Sequence, residues 1–120
     1  MFDHVGFNVS DFARSKAFYL AALQPLGMKL MRETDKFAVI GNPSGRLWIG
    51  VFGPAAAPIH FAFRADNRKA VDAFYAAAIA AGGGDNGGPG LRPNYSPDYY
   101  AAFVYDPDGH NVEAVTFSAN

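Results

Sequence analysis

Apolar and polar positions along the chain follow two rhythms, and the switch from one to the other happens twice. Residues 4–9, His4-Val5-Gly6-Phe7-Asn8-Val9, alternate in character and are β-branched and aromatic enough to predict a strand. Ser10 or Asp11 then offers a side-chain oxygen to cap a helix reaching about Leu23. Phe12, Ala17, Phe18, Ala21 and Leu26 fall near helical spacing there, and Pro25 and Gly27 end it. The same order returns with a strand over residues 60–65 and Asp66 or Asn67 as cap. Val71, Phe74, Tyr75, Ala78 and Ile79 form the second apolar stripe, which Gly82 stops. Short strand-like pieces follow each helix: residues 28–32, 37–40 and 46–52, then 91–92, 99–105 and 111–117. Six glycines within residues 82–90 predict a loop, because glycine's freedom penalises any regular element that contains it.

The two halves are copies. A shift of 56 residues lays His4 on His60, Ala17-Phe18-Tyr19 on Ala73-Phe74-Tyr75, and Gly27 on Gly83; eight of the 24 pairs from His4 to Gly27 are identical. The turns Gly41-Asn42-Pro43-Ser44-Gly45 and Asp106-Pro107-Asp108-Gly109 match in type and read as hairpin connections. The expected fold is therefore α+β: two tandem β-α-β-β-β modules, about 1–56 and 57–120, in a single domain. Together they form a curled mixed sheet with a concave face and outer helices.

Composition narrows the chemistry. Ten basic against 11 acidic residues leave a net charge of −1, with no basic cluster, which argues against nucleic acid as partner. The longest apolar run, residues 76–81, is far short of a membrane span, and no leader pattern opens the chain; a soluble cytoplasmic protein is expected. Without cysteine, any metal site must use nitrogen and oxygen donors, and there are only three histidines.

Two of those histidines, His4 and His60, hold the same place in the two copies. The final strand carries one carboxylate, Glu113, in a largely apolar run, where a charge is costly unless paired or bound to metal. Two imidazoles and a carboxylate from three strands are the donor set of a facial triad with open coordination positions. Glu113 on a solvent face, paired with Arg92 or Arg46, is the structural alternative. Matching the two turns places Ile49, or with one residue of slip Gly50, opposite Glu113 in the first module, so no fourth ligand is expected there. His110 follows the second turn and reads as a turn residue on the opposite strand face from Glu113. The segment from Arg92 to Tyr100 is rich in hydroxyls; Tyr95 and Tyr100 are candidates for proton transfer, and Arg92 and Trp48 for substrate contact. An interface or a plain connection is the alternative for that segment.

The opening Asp3-His4-Val5-Gly6-Phe7-Asn8-Val9-Ser10-Asp11, the helix with Ala17-Phe18-Tyr19 and the ending Asp106-Pro107-Asp108-Gly109-His110-Asn111-Val112-Glu113 resemble the vicinal oxygen chelate superfamily. That group contains glyoxalase I, bleomycin resistance proteins and extradiol dioxygenases. The resemblance covers essentially the whole chain. It implies a homodimer acting on a small molecule. It also implies a divalent ion, Fe2+, Zn2+, Ni2+ or Mn2+, held by His4, His60 and Glu113, and lyase, isomerase or ring-cleaving dioxygenase chemistry on vicinal oxygens. A missing donor at residue 49 or 50 departs from glyoxalase I. The other expected class is a metal-free protein that sequesters a ligand, as the bleomycin resistance proteins do.

Overall fold

The computed structural model describes residues 1–120. The first module runs β1 (His4–Asn8), α1 (Phe12–Leu23), a 3-10 turn (Gln24–Leu26), β2 (Lys29–Glu33), β3 (Phe37–Asn42) and β4 (Gly45–Gly50). The second runs β5 (His60–Arg64), α2 (Arg68–Ala80), β6 (Gly84–Asp85), β7 (Gly90–Leu91), β8 (Tyr100–Tyr105) and β9 (Asn111–Thr116). Asp11 and Asn67 are the helix caps, their side chains accepting from the backbone N–H groups of Arg14 and Ala70. Pro25 sits inside the 3-10 turn that extends α1, and Gly27, at φ 79°, closes it in the left-handed conformation. The glycine-rich stretch is not wholly loop: Gly84 and Asp85 pair with Tyr105 and Val104.

The chain is α+β, as its pattern predicts, but its strands form two sheets. One has the order β1-β4-β3-β2 and the other β5-β9-β8-β6, with β7 also pairing β8. In each, the first strand lies parallel to the last and the remaining pairings are antiparallel. Helices cover one face of each sheet and touch each other. Phe18, Tyr19, Leu23, Val71, Phe74 and Ala78 are fully buried against Ile40, Ile49, Val104 and Val112, each larger side chain contributing about 1.5–3 kcal/mol. No helix is long and apolar enough to cross a membrane.

Polar contacts lock the second module's turn onto α1. The Tyr19 hydroxyl donates to Asp106 Oδ2 at 2.5 Å, and Asp106 Oδ1 accepts the N–H groups of Asp108 and His110. Ser10 donates to Asp108 through both its backbone N–H and its hydroxyl. His110 is a core residue, not a surface turn residue: it is fully buried, its Nδ1 accepts the Ile59 N–H at 3.0 Å, and its ring meets Phe7 at 4.6 Å. At this junction the free edges of β1 and β5 pass with opposite sense. Phe7, near the end of β1, touches Phe61 near the start of β5. His4 and Arg46 share a groove of about 320 Å³ with Ala62, Phe63 and Arg64.

Candidate functional site

Strand register decides which side chains share a face. Glu113 lies beside Ala62 of β5 and Phe103 of β8, so period-two alternation puts His60, Ala62 and Arg64 with Glu113 and Phe103 on the side away from α2. Glu113 is only 2% exposed although this face is open. Its cover consists of His60, Tyr99 and Phe103. His60 Nε2 stands 3.2 Å from Glu113 Oε1, and the Tyr99 hydroxyl donates to Oε2 at 2.5 Å. Phe103 stacks on His60 at 6.3 Å, while Tyr95 and Phe117 meet the Tyr99 ring edge-on at 5.0 and 5.3 Å. Burial, followed by the hydrogen bond to Glu113, pushes the Tyr99 phenol up to about 12. Tyr99 therefore keeps its proton at neutral pH and acts there as a donor.

The other ring nitrogen of His60, Nδ1, lies 3.0 Å from the Asn111 carbonyl oxygen, which only a protonated nitrogen can satisfy. In the neutral ring Nε2 then carries the lone pair and points it at a carboxylate oxygen. Two lone pairs so placed call for a cation, either a proton or a metal ion. The donors fit a divalent ion as part of its set: two ligands side by side on one ion, with bonds of about 2.1 Å, stand about 3 Å apart. They are two donors only. No group of three His, Asp or Glu side chains able to hold a metal occurs within the chain.

His4 is not among them. It is exposed at the Arg64 end of the junction, with Nδ1 2.8 Å from Asp3 Oδ1. Its ring, chiefly through that hydrogen bond, holds the Asp3 carboxyl below the usual carboxylate range. The repeat places the two histidines equivalently, but the opposed edges of β1 and β5 carry them to opposite ends.

Tyr100 is a second departure: its hydroxyl donates to Asp72 of α2 at 2.6 Å and Arg68 lies over its ring, so it faces the helix. Tyr95 is 62% exposed and touches the site only through Tyr99. The residue that reaches Glu113 is Tyr99, not the expected Tyr95 or Tyr100. Alternation held the signal, since residues 99, 101 and 103 share one parity and Phe103 is beside Glu113. Arg92 lies over the Phe103 ring at 5.3 Å, at the rim of the site.

Register also corrects the place opposite Glu113. His60 pairs with Asn111 and His4 with Arg46, so the equivalent of Glu113 is Trp48, not Ile49 or Gly50. The second turn holds one more residue, His110, between its glycine and the strand start, and this moves the match by one. Trp48 stacks between Phe37 and Phe52 at 6.0 and 5.8 Å. It lies flat because Gly6 and Gly50 offer no Cβ; one at Gly50 would come within 2.5 Å of the indole. The first sheet's open face is thus an aromatic platform where the second has a carboxylate.

Two related modules, β-α-β-β-β and the same order with one extra short strand, define the class. The chain belongs to the glyoxalase/bleomycin resistance protein/dioxygenase superfamily, whose model matches residues 1–114. Among solved structures, it is similar to a glyoxalase/bleomycin resistance protein from Albidiferax ferrireducens T118. The two are 34% identical with a TM-score of 0.83 over 96% of this chain and 97% of that one. A glyoxalase/bleomycin resistance protein/dioxygenase family enzyme from Burkholderia phytofirmans PsJN shares the fold at 18% identity, with a TM-score of 0.74 over 97% and 98% of the chains. So does a lactoylglutathione lyase from Agrobacterium tumefaciens, at 18% identity and a TM-score of 0.69 over 96% and 92%. No protein of curated function matches.

Proposed function

We propose that this chain is a small metal-dependent enzyme acting on a small molecule, with His60 Nε2 and Glu113 Oε1 as two ligands of a divalent ion such as Fe2+, Zn2+, Ni2+ or Mn2+. The observation that carries this reading is His60 Nε2 standing 3.2 Å from an oxygen of the buried Glu113 carboxylate, with Nδ1 turned to the Asn111 carbonyl. His4 of a second copy supplies the third protein donor in this reading, within a homodimer. Support comes from the exposed Phe2 and Phe52, apolar surface that a second copy would cover.

A divalent ion held there would supply Lewis-acid polarisation of substrate oxygens. The chain's own residues do the rest. Tyr99 occupies Glu113 Oε2, which leaves Oε1 as the free donor atom. The rings of Phe103, Tyr99 and Phe117 keep water from the carboxylate, which strengthens every charge interaction there. Tyr99, protonated at neutral pH, offers its hydroxyl hydrogen at the carboxylate and ties Glu113 to one rotamer. The reaction falls within the lyase, isomerase or ring-cleaving dioxygenase types.

A metal-free ligand-sequestering role is the second reading, and the Trp48, Phe37 and Phe52 row favours it, since such a platform holds planar ligands without chemistry. Elemental analysis separates the two. Protein purified without added metal is expected to carry a divalent ion that His60→Ala loses while its circular dichroism stays unchanged. Metal-free wild-type protein that takes up no ion on titration would overturn the enzyme reading.

A further inference from the structure

We infer that the ligand of this site is an organic carboxylate, docked by its anionic group on the Arg92 guanidinium beside the His60–Glu113 pair. The inference rests on the reading of this face as the substrate site, and it names the substrate class.

The glycine-rich stretch builds a seat for one cation. Arg92 Nη2 donates to the Gly88 carbonyl at 2.8 Å. Gly87, at φ 133°, and Gly90 lie directly against the guanidinium; a Cβ at either would stand 3.2 Å from Nη2 or 3.1 Å from Nη1. Bulkier residues would push the head group away, so the loop's composition serves a position. That position is over Phe103, the ring that stacks on His60.

The seated cation has no acidic partner. The chain's ion pairs join Asp3 to His4 and Arg46, Lys16 to Glu33, and His60 to Glu113, and Arg92 takes part in none. One guanidinium N–H is used by Gly88; the remaining fork is free. Arg64, over Phe117 on the opposite flank of Glu113, is likewise unpaired, so the face carries two cations around a single covered carboxylate. A planar fork with free donors, fixed beside a reactive pair and aromatic rings, matches a planar monoanion with an apolar body. A phosphate would call for several converging cations and backbone donors, and only Arg92 is held in place here.

Calorimetric titration of the purified protein with matched pairs, benzoate against benzamide and phenylacetate against phenylacetamide, with inorganic phosphate as a third arm, tests this. The acids are expected to bind at least about tenfold tighter than the amides. Arg92→Gln should abolish that preference, Arg92→Lys should restore it in part, and Arg64→Gln should keep most of it. Equal binding of acid and amide, no binding by either acid, an unchanged preference in Arg92→Gln, or phosphate binding tighter than both acids would overturn the inference. Metal content measured on the same samples keeps the two claims apart. A metal-loaded protein without acid preference refutes the carboxylate and leaves the metalloenzyme standing; a metal-free protein with Arg92-dependent acid preference does the reverse.

Discussion

Tyr99→Phe removes one oxygen from the site and nothing else. The ring keeps its contacts with Tyr95 and Phe117, but Oε2 of the buried Glu113 carboxylate loses its 2.5 Å donor. A hydrogen bond to a charged acceptor contributes about 1.5–3 kcal/mol, and because Tyr99 is half-exposed, water takes over part of its role, so about 1.5–2 kcal/mol is expected. For a chain of this size that corresponds to a fall in Tm of about 6–8 °C at pH 7. The same change has a signature in alkali. In the folded protein the phenol ionises at about 12, against 10.0 for a free tyrosine, so the folded state keeps a proton that the unfolded chain sheds. The stability linked to this group is fully present below pH 10 and is lost as pH rises toward about 12. Allowing for solvent around the half-exposed ring, the loss is about 1–2 kcal/mol. Tyr19, Tyr75 and Tyr100 are also raised, so Tyr99→Phe should flatten the alkaline decline in part, not abolish it. Urea unfolding at pH 7 and across the alkaline range measures both effects. A cost under about 0.5 kcal/mol at pH 7, or alkaline limbs of wild type and variant that superimpose, would refute the coupling of Tyr99 to Glu113.

Three further changes probe the surroundings. Tyr19→Phe strips Asp106, 5% exposed, of its Oδ2 donor at the module junction and should cost about 2–3 kcal/mol in urea unfolding; a negligible cost would mean the junction is not held there. Gly50→Ala sets a Cβ within 2.5 and 2.7 Å of the Trp48 rim, so the indole must lift. The emission of this sole tryptophan should shift red, with about 1–3 kcal/mol of destabilisation; an unchanged spectrum would contradict the flat platform. Tyr100→Phe, on the helix side with Asp72, should leave metal content and carboxylate binding at wild-type levels; loss of either would return Tyr100 to the site.

How much was legible depended on the range of the interaction that positions each residue. Caps, helices and strands follow from local pattern, and the pairing of His60 with Glu113 follows from a repeat and a lone strand carboxylate. Tyr99 and Tyr100 are adjacent and chemically identical. Only the β8–β9 register, which sets Phe103 beside Glu113, says which one points at Glu113. Trp48 took the place expected for Ile49 or Gly50 because a single extra turn residue, His110, offsets the second module. His110 itself looked like a turn residue because nothing local shows that Phe7 and the Ile59 N–H close over it. The separation of His4 from His60 was the least legible. It depends on how one module docks on the other, which Tyr19 with Asp106 and Ser10 with Asp108 fix across 87 and 98 residues of sequence.

The central claim, that His60 and Glu113 supply two of three protein donors of a metal site completed by His4 of another copy, is tested most directly by mixing two crippled chains. His4→Ala and Glu113→Ala are co-expressed with different tags, the heterodimer is isolated, and its metal content is measured beside that of each variant alone. The account predicts little metal in either homodimer and about half the wild-type content in the heterodimer, where one of two sites regains all three donors. A heterodimer as empty as its parents, or full metal occupancy in the His4→Ala protein alone, would contradict it.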